Sequence, residues 1–300
     1  MSILNRASDG LHNALIVLYK CVLIEGAMPK DKLLALCAPS TVSDGDLARK
    51  TLNRWVQLGL FEERDESIAI SAEMPRECRD KRRGLVELPR ALRRIVLEKA
   101  NNERLWEAED NRSGDFTRAV SWMLGQNVYD TEFAGFEEAQ NRDIAQFKDE
   151  SIRAFTTNVR WAGFKDWASF LGFGWTAKYP KNGSFVIDPT VAVRDSLPDV
   201  FGKSRELDHK SFFTRLAEEL PVVDGGRYRR EVEGRIDAET WQAPKSDQVS
   251  TSLSRALERL NSAGILTLES RADADKRTLL GQGQTPSRTV SHLLWTGASS

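Results

Sequence analysis

The chain has 300 residues, and its 43 Lys and Arg residues almost balance its 44 Asp and Glu residues, which gives a formal net charge of −1. This balance excludes a protein that binds nucleic acid through a uniformly basic surface, but it leaves room for a local basic patch. Hydrophobic residues make up 40% and charged residues 29% of the chain, a composition that indicates folded cores rather than disorder. At roughly 100–200 residues per domain, the length predicts two or three domains.

Little in the sequence points to a metal, a cofactor or a membrane. The three cysteines form no CxxC pair and the three histidines are far apart, so we expect reduced thiols and no metal site. The longest apolar run, Ala14 to Ile24, is interrupted by Lys20 and is shorter than the about 20 residues that span a bilayer. We expect this run to be a core helix of a cytoplasmic protein.

The N-terminal region is predicted to contain three helices followed by a β-hairpin. A helix with Asp9 as its N-cap, a short helix after Pro29, and a third helix from Ser43 to Leu58 precede two strands joined by a charged turn. This order over residues 11–72 is typical of a winged helix, and a generic three-helix bundle with a hairpin is the alternative.

The same order of elements returns near the C-terminus. Apolar positions predict helices around Phe212 to Leu220 and Tyr228 to Ile236, and a third helix that Ser246 caps. The segments 265–268 and 278–280 are predicted to form the following hairpin. We therefore predict a second winged helix over about residues 207–296, with Ser250, Thr251 and Ser254 among the outward positions of its third helix.

The middle of the chain is predicted to be helical and rich in aromatic residues. Helices are expected at Leu85 to Lys99, Phe116 to Leu124 and Ala139 to Arg160, and a strand at Phe185 to Ile187. The six aromatic residues from Trp161 to Trp175 favour a core rather than a surface for stacking bases.

The expected fold is mainly α with small β-hairpin wings, as tandem winged-helix domains around this middle region. The predicted domains are 1–75 (N-terminal winged helix), 76–205 (helical middle region, with a degenerate winged helix as one interpretation) and 206–300 (C-terminal winged helix).

Charge is distributed unevenly along the chain. From Arg76 to Lys99 there are nine basic and four acidic residues, whereas from Glu103 to Glu150 there are five basic and twelve acidic residues. The basic segment either contacts phosphates, which gives strong and salt-dependent affinity, or pairs with the acidic segment. The sequence leaves both alternatives open.

No catalytic motif is present: the chain lacks GxxxxGK[ST], GxSxG and HExxH, so we expect a protein that is not an enzyme. Basic and amide side chains on the third helices and wings are instead suited to phosphates and base edges. The candidate DNA-contacting residues are Arg49, Lys50, Asn53, Arg54, Arg82, Arg83, Arg90, Arg93, Arg94, Arg255, Arg259, Arg271, Lys276 and Arg277.

Three stretches carry a resemblance to a known family: residues 2–5 with 9–11, Phe170-Leu171-Gly172-Phe173-Gly174, and residues 185–190. In this order, and in a chain of this length, they resemble the DpdG family of bacterial gene clusters that insert 7-deazapurine bases into DNA and restrict unmodified DNA.

The resemblance implies a non-catalytic component of a DNA-modification or anti-phage defence system, working with other proteins of that system. The expected partner of the winged helices is double-stranded DNA. Two alternatives are a protein–protein adaptor that uses winged helices for docking and a transcriptional regulator of the same cluster. We expect no membrane partner and no small-molecule substrate.

Overall fold

The computed structural model describes residues 3–5, 10, 12–39, 46–107, 112–129, 133–177 and 184–297. The chain divides into two compact units. The first unit contains residues 1–116 and 157–171, and the second contains residues 117–156 and 172–300. The three predicted domain segments do not coincide with these units, because residues 157–171 return to the N-terminal region.

The described part of the chain is mainly helical, with small sheets. Its α-helices are α1 (His12–Glu25), α2 (Lys30–Cys37), α3 (Asp46–Leu58), α4 (Gly84–Leu97), α5 (Gly114–Gly125), α6 (Phe136–Gln146), α7 (Asn158–Phe170), α8 (Thr190–Phe201), α9 (His209–Glu219), α10 (Arg227–Glu233) and α11 (Thr251–Ser262). Its strands are β1 (Met28–Pro29), β2 (Phe61–Arg64), β3 (Ser67–Ile70), β4 (Gly174–Thr176), β5 (Phe185–Ile187), β6 (Glu206–Asp208), β7 (Gln248–Val249), β8 (Leu266–Glu269), β9 (Arg277–Leu280), β10 (Pro286–Val290) and β11 (His292–Trp295).

The first unit contains the predicted order of three helices followed by a β-hairpin. Strands β2 and β3 pair antiparallel, and β1 adds to β3 as a third short strand. Asp65 and Glu66 join the hairpin with φ angles of 45° and 60°, as a two-residue turn of type I′ requires. The predicted caps Asp9 and Ser43 lie outside the described residues.

Aromatic rings fill the core of the first unit. The ring of Trp55 on α3 lies 5.4 Å from that of Trp167 on α7, and Trp161 and Phe164 stack at 6.0 Å between ring centroids. All four side chains are at most 1% exposed. The expectation that these aromatic residues form a core is confirmed for this part of the stretch.

The second unit pairs its strands differently from the prediction. Strand β8 lies beside β11, which also pairs with β6, whereas β9 pairs with β10 and, in parallel, with β7. The predicted hairpin between residues 265–268 and 278–280 is therefore wrong, and the segment 271–276 connects two sheets. Alternating apolar residues determine which face of a strand is buried but do not specify the neighbouring strand.

The predicted helix from Ala139 to Arg160 is two helices. Helix α6 ends at Gln146, and α7 begins at Asn158 after Thr157 caps it. The backbone turns out of the helix at Phe147 because the segment that follows buries its own side chains, and Asp143 accepts a hydrogen bond from the backbone N–H of Phe155 at 2.8 Å.

A buried ionic cluster holds the second unit together around the start of α11. The Arg229 guanidinium is 1% exposed, bonds Glu233 one turn along α10, and lies 3.8 Å from Asp224. Asp224 in turn accepts hydrogen bonds from the backbone and hydroxyl of Ser250, both at 2.6 Å. Ser250, rather than the predicted Ser246, is therefore the residue that caps α11.

The substitution Arg229→Ala should destabilise the second unit by about 3–5 kcal/mol, because it leaves Asp224 and Glu233 as partly buried carboxylates without their cation. Urea denaturation of the two proteins measures the difference. The matched variant Arg205→Ala removes an exposed arginine and should stay within about 0.5 kcal/mol of the wild type. An equal loss of free energy of unfolding in both variants would contradict the stabilising role of the Arg229 cluster.

The substitution Gly163→Ala tests the contact between α7 and the N-terminal residues. A Cβ atom at Gly163 would lie 2.3 Å from the carbonyl oxygen of Leu4. The resulting clash outweighs the roughly 1 kcal/mol that alanine gains over glycine within a helix, so the melting temperature should fall. Gly234→Ala, with its nearest neighbour at 3.4 Å, should not lower it.

Stability should also depend on pH through Asp143, because burial raises the pKa of this carboxyl from its ordinary value of 3.8 to about 6. The folded protein then retains a proton that the unfolded chain has released, so the free energy of unfolding falls as the pH rises from about 4 to 6. The loss should reach about 3 kcal/mol, at 1.36 kcal/mol per pKa unit. Urea denaturation across this pH window should show that the free energy of unfolding depends less on pH in Asp143→Asn than in the wild type. Equal pH dependence in the two proteins would contradict the raised pKa of Asp143.

Candidate nucleic-acid interface

The exposed face of α3 presents a line of hydrogen-bond donors. Arg49, Asn53 and Gln57 are all exposed, and their spacing of four residues places them on adjacent turns of one face. Lys50 is half-buried at the edge of this face and pairs with Asp46 at 2.5 Å. An exposed ion pair of this kind contributes only about 0–1 kcal/mol, so a phosphate could displace the carboxylate.

Arg54 does not belong to this face, contrary to the prediction. It is 5% exposed and lies on the buried stripe that Thr51, Trp55 and Leu58 define. The spacing of three, four and seven residues from Thr51 puts all of them on the core side of an α-helix. The charge of an arginine suggested an outward position, but the helical period determines its burial.

The most basic surface feature of the first unit is the segment Arg76–Arg83, which we call the basic loop. It contains a 3₁₀ turn at Arg76–Arg79 and leads directly into α4. Its exposed basic side chains are Arg76, Arg79, Lys81, Arg82 and Arg83.

Several contacts fix the backbone of the basic loop. The Tyr19 hydroxyl on α1 donates a hydrogen bond to the carbonyl of Cys78, whose side chain is buried. Lys81 Nζ donates to the carbonyl of Ile24 at 2.6 Å, near the end of α1. The Asp80 carboxylate accepts the backbone N–H groups of Arg83 and Arg82, both at 2.9 Å, and these bonds lower the pKa of Asp80.

The protonation states of the anchoring groups suit these roles. Burial raises the pKa of Tyr19 well above its ordinary value, and it raises the pKa of the Cys78 thiol to about 11. The phenol therefore keeps the proton that it donates to the loop, and the thiol stays neutral across the physiological pH range.

The three arginines on α4 have different environments. Arg94 is exposed, and Arg90 is half-buried with Glu87 at 4.0 Å. Arg93 is 2% exposed and its Nε donates to the carbonyl of Leu171 at 2.6 Å, so the expectation of an exposed Arg93 is wrong. Helix α4 is packed on most sides beyond Pro89, which leaves Arg94 as the exposed position among residues 91–97.

Two ion pairs of the basic segment are local and share one carboxylate on α4. Glu87 on α4 accepts from Arg83 at 3.1 Å, in addition to its contact with Arg90. Arg82 is exposed and follows Asp80 in the loop. The basic loop thus keeps most of its positive charge at the surface.

In the second unit, the candidate residues are largely engaged by neighbouring side chains. Arg259 pairs with Asp188, and Arg271 bridges Glu206 at 2.8 Å and Glu269 at 2.7 Å. Arg277 lies over the ring of Phe213 at 4.9 Å. Arg255 is half-buried and Lys276 is exposed.

The start of α11 is buried, which corrects the expectation of outward Ser250, Thr251 and Ser254. These side chains are at most 4% exposed. The Thr251 hydroxyl accepts the backbone N–H of Val128 at 3.0 Å, and Ser252 donates to the carbonyl of Leu124 at 2.6 Å. The first turn of α11 packs against the end of α5 and cannot enter a DNA groove in this structure.

Among the described residues, His, Cys, Asp and Glu side chains form no group of three or more that could hold a metal ion. The helices of these residues also lack the length and hydrophobicity that a membrane span requires. The candidate interface that the exposed donors and cations define is the α3 face together with the basic loop. Arg49, Asn53, Arg82 and Arg83 are the predicted candidates that lie exposed in these two features. The helical period was the signal that could have excluded Arg54.

Comparisons with known proteins support a family assignment. A family model described as DpdG-like matches residues 1–274. No curated protein and no solved structure matches the chain. Since the model covers most of its length, the chain belongs to the DpdG-like family, which is associated with the Dpd DNA-modification cluster.

Proposed function

We propose that this chain is a non-catalytic component of the Dpd DNA-modification system that binds duplex DNA through its first unit. The order α1, β1, α2, α3, β2 and β3 matches that of a winged helix, in which the third helix reads a groove and the hairpin contacts the backbone. The donors of the α3 face, Arg49, Asn53 and Gln57, are of the types that contact base edges and phosphates.

The observation that carries the proposal is the basic loop. The loop has five exposed basic side chains, and contacts with Tyr19, Asp80 and the end of α1 fix its backbone in place. The net charge of the whole chain is −1. A concentrated and ordered positive patch on a nearly neutral protein favours a polyanionic partner. Phosphate contacts of this kind supply affinity that does not depend on DNA sequence.

Docking of another protein of the system is a second candidate function, supported by exposed apolar residues beside the basic loop. Leu85 and Val86, in the first turn of α4, are 36% and 78% exposed. Apolar side chains that solvent reaches so freely are more typical of a contact surface than of a core.

The triple variant Arg76→Gln, Arg79→Gln, Arg82→Gln should bind duplex DNA more weakly and with a smaller salt dependence. Three phosphate contacts account for a change of about 2.7 in the slope of log K against log salt concentration, at 0.9 per contact. The double variant Arg49→Ala, Asn53→Ala should lower the slope by about 1, because only one of these residues is charged. Fluorescence anisotropy at several salt concentrations measures both effects.

The matched control replaces three exposed basic residues of the second unit, Lys203, Arg205 and Lys245, with Gln. It removes the same charge and should retain the wild-type slope. If the control weakens DNA binding as much as the loop variant does, the affinity depends only on the net charge of the protein, and the basic loop is not the DNA interface. Unchanged duplex binding in the loop variant would favour the docking function instead.

A further inference from the structure

The second unit contains a polar cleft of about 220 Å³ that the proposed DNA interface does not use. Segments far apart in the sequence line it: the end of α5, one face of α6, the loop before β7, the start of α11 and the 3₁₀ turn at Gln282–Gln284. We call it the amide cleft, because five of its thirteen described lining residues are glutamine or asparagine. The lining residues used below are Gln126, Arg142, Gln146, Trp241, Gln242 and Gln284.

Two buried glutamines form a reciprocal amide pair in this cleft. Gln126 and Gln146 are at most 2% exposed, and each donates to the other, at 3.0 and 3.1 Å. Trp122 Nε1 also donates to the Gln146 oxygen at 2.6 Å, and the second Gln126 amide hydrogen goes to the Trp122 carbonyl at 3.2 Å.

Counting donors and acceptors shows what the amide pair still offers. A side-chain amide has two hydrogens and two lone pairs. Among the bonds that the described residues form, one Gln146 hydrogen and one Gln126 lone pair remain uncommitted. A buried donor and acceptor side by side match the alternating hydrogen-bonding edge of a heterocyclic base.

Trp241 supplies a flat aromatic surface to the same cleft. It is half-buried, and its Nε1 donates to the carbonyl of Gly125 at 2.9 Å, which fixes the ring in place. An indole held in this way is suited to stacking against a planar ligand, because every nucleobase has a π face.

Three further polar side chains line the cleft. In the part of the chain that the structure describes, Arg142, Gln242 and Gln284 form no hydrogen bond or ion pair through their side chains. Among the lining residues that the structure describes, Arg142 is the one with a charged side chain. Gln284 lies in the turn between β9 and β10 with a φ of 55°, a conformation that costs free energy in a residue other than glycine.

We propose that the amide cleft binds a nucleotide. The edge of the base forms hydrogen bonds with the Gln126 and Gln146 side-chain amides. The base stacks on Trp241, and the Arg142 guanidinium binds the phosphate. The volume is below the roughly 300 Å³ at which pockets for drug-sized ligands begin, so one heterocycle enters and the sugar and phosphate stay towards the open side. A free nucleotide and an unpaired nucleotide within a strand share this chemistry.

Binding can be measured by isothermal titration calorimetry on the full chain. The ligands are the four deoxynucleoside monophosphates, the four nucleosides, a single-stranded decamer and its abasic counterpart. We expect saturable binding of at least one monophosphate or of the decamer. Preference for monophosphates identifies a free nucleotide as the ligand, and preference for the decamer over its abasic counterpart identifies a base within a strand.

Two variants test the assigned contacts. Arg142→Gln should weaken binding of the monophosphate at least tenfold while it leaves nucleoside binding unchanged. The double variant Gln242→Ala, Gln284→Ala should weaken binding of both the monophosphate and the nucleoside severalfold. The controls are Arg205→Gln and Gln282→Ala, which alter exposed side chains outside the lining and should bind as the wild type does.

Two results would overturn the proposal. One is the absence of saturable binding for every ligand when circular dichroism shows that the wild-type protein is folded. The other is a loss in the controls equal to the loss in the cleft variants. Neither result bears on duplex binding by the first unit, so this inference and the proposed function can fail separately.

Discussion

The buried Arg229 guanidinium is the interaction on which the second unit depends most. It links the carboxylates of Asp224 and Glu233, whose side chains are 10% and 24% exposed, while its own side chain is 1% exposed. Such a cluster costs desolvation energy, and it is stable only while every charge keeps its partner. Because Asp224, in the loop before α10, also bonds the cap residue Ser250, this charge cluster helps to set the position of α11.

This arrangement separates the roles of the two units. The third helix of the C-terminal region is fixed at its start by polar contacts inside its own unit, and most of the arginines around it bind nearby carboxylates or an aromatic ring. The first unit instead leaves the α3 face and the basic loop open. Two regions with similar orders of helices and strands therefore offer different surfaces, and the element order alone does not establish which surface is open to a partner.

Much of the local structure could be predicted from the sequence, because hydrophobic period and turn residues act over short distances. The strand Phe185–Ile187 and the order of three helices followed by a hairpin in the first unit were predicted in this way, whereas the short strand β1 was not. The burial of Arg93 could not be predicted, because its hydrogen-bond acceptor, the carbonyl of Leu171, lies 78 residues away in the sequence. The pairing of β8 with β11 and the Gln126–Gln146 pair depend on the tertiary fold in the same way. The candidate α3 face was thus accessible to sequence reasoning, and the amide cleft was not.

The tether between Tyr19 and the basic loop has a thermodynamic consequence. A flexible basic tail loses backbone entropy when it settles on a polyanion, whereas a loop whose backbone is already fixed loses mainly side-chain entropy. Association through this loop would bury little new apolar surface and would involve no folding transition. Its heat-capacity change should therefore be small, unlike the large negative value that accompanies coupled folding and binding. The phenol on α1 thus makes the loop a preformed electrostatic surface rather than a segment that folds on contact.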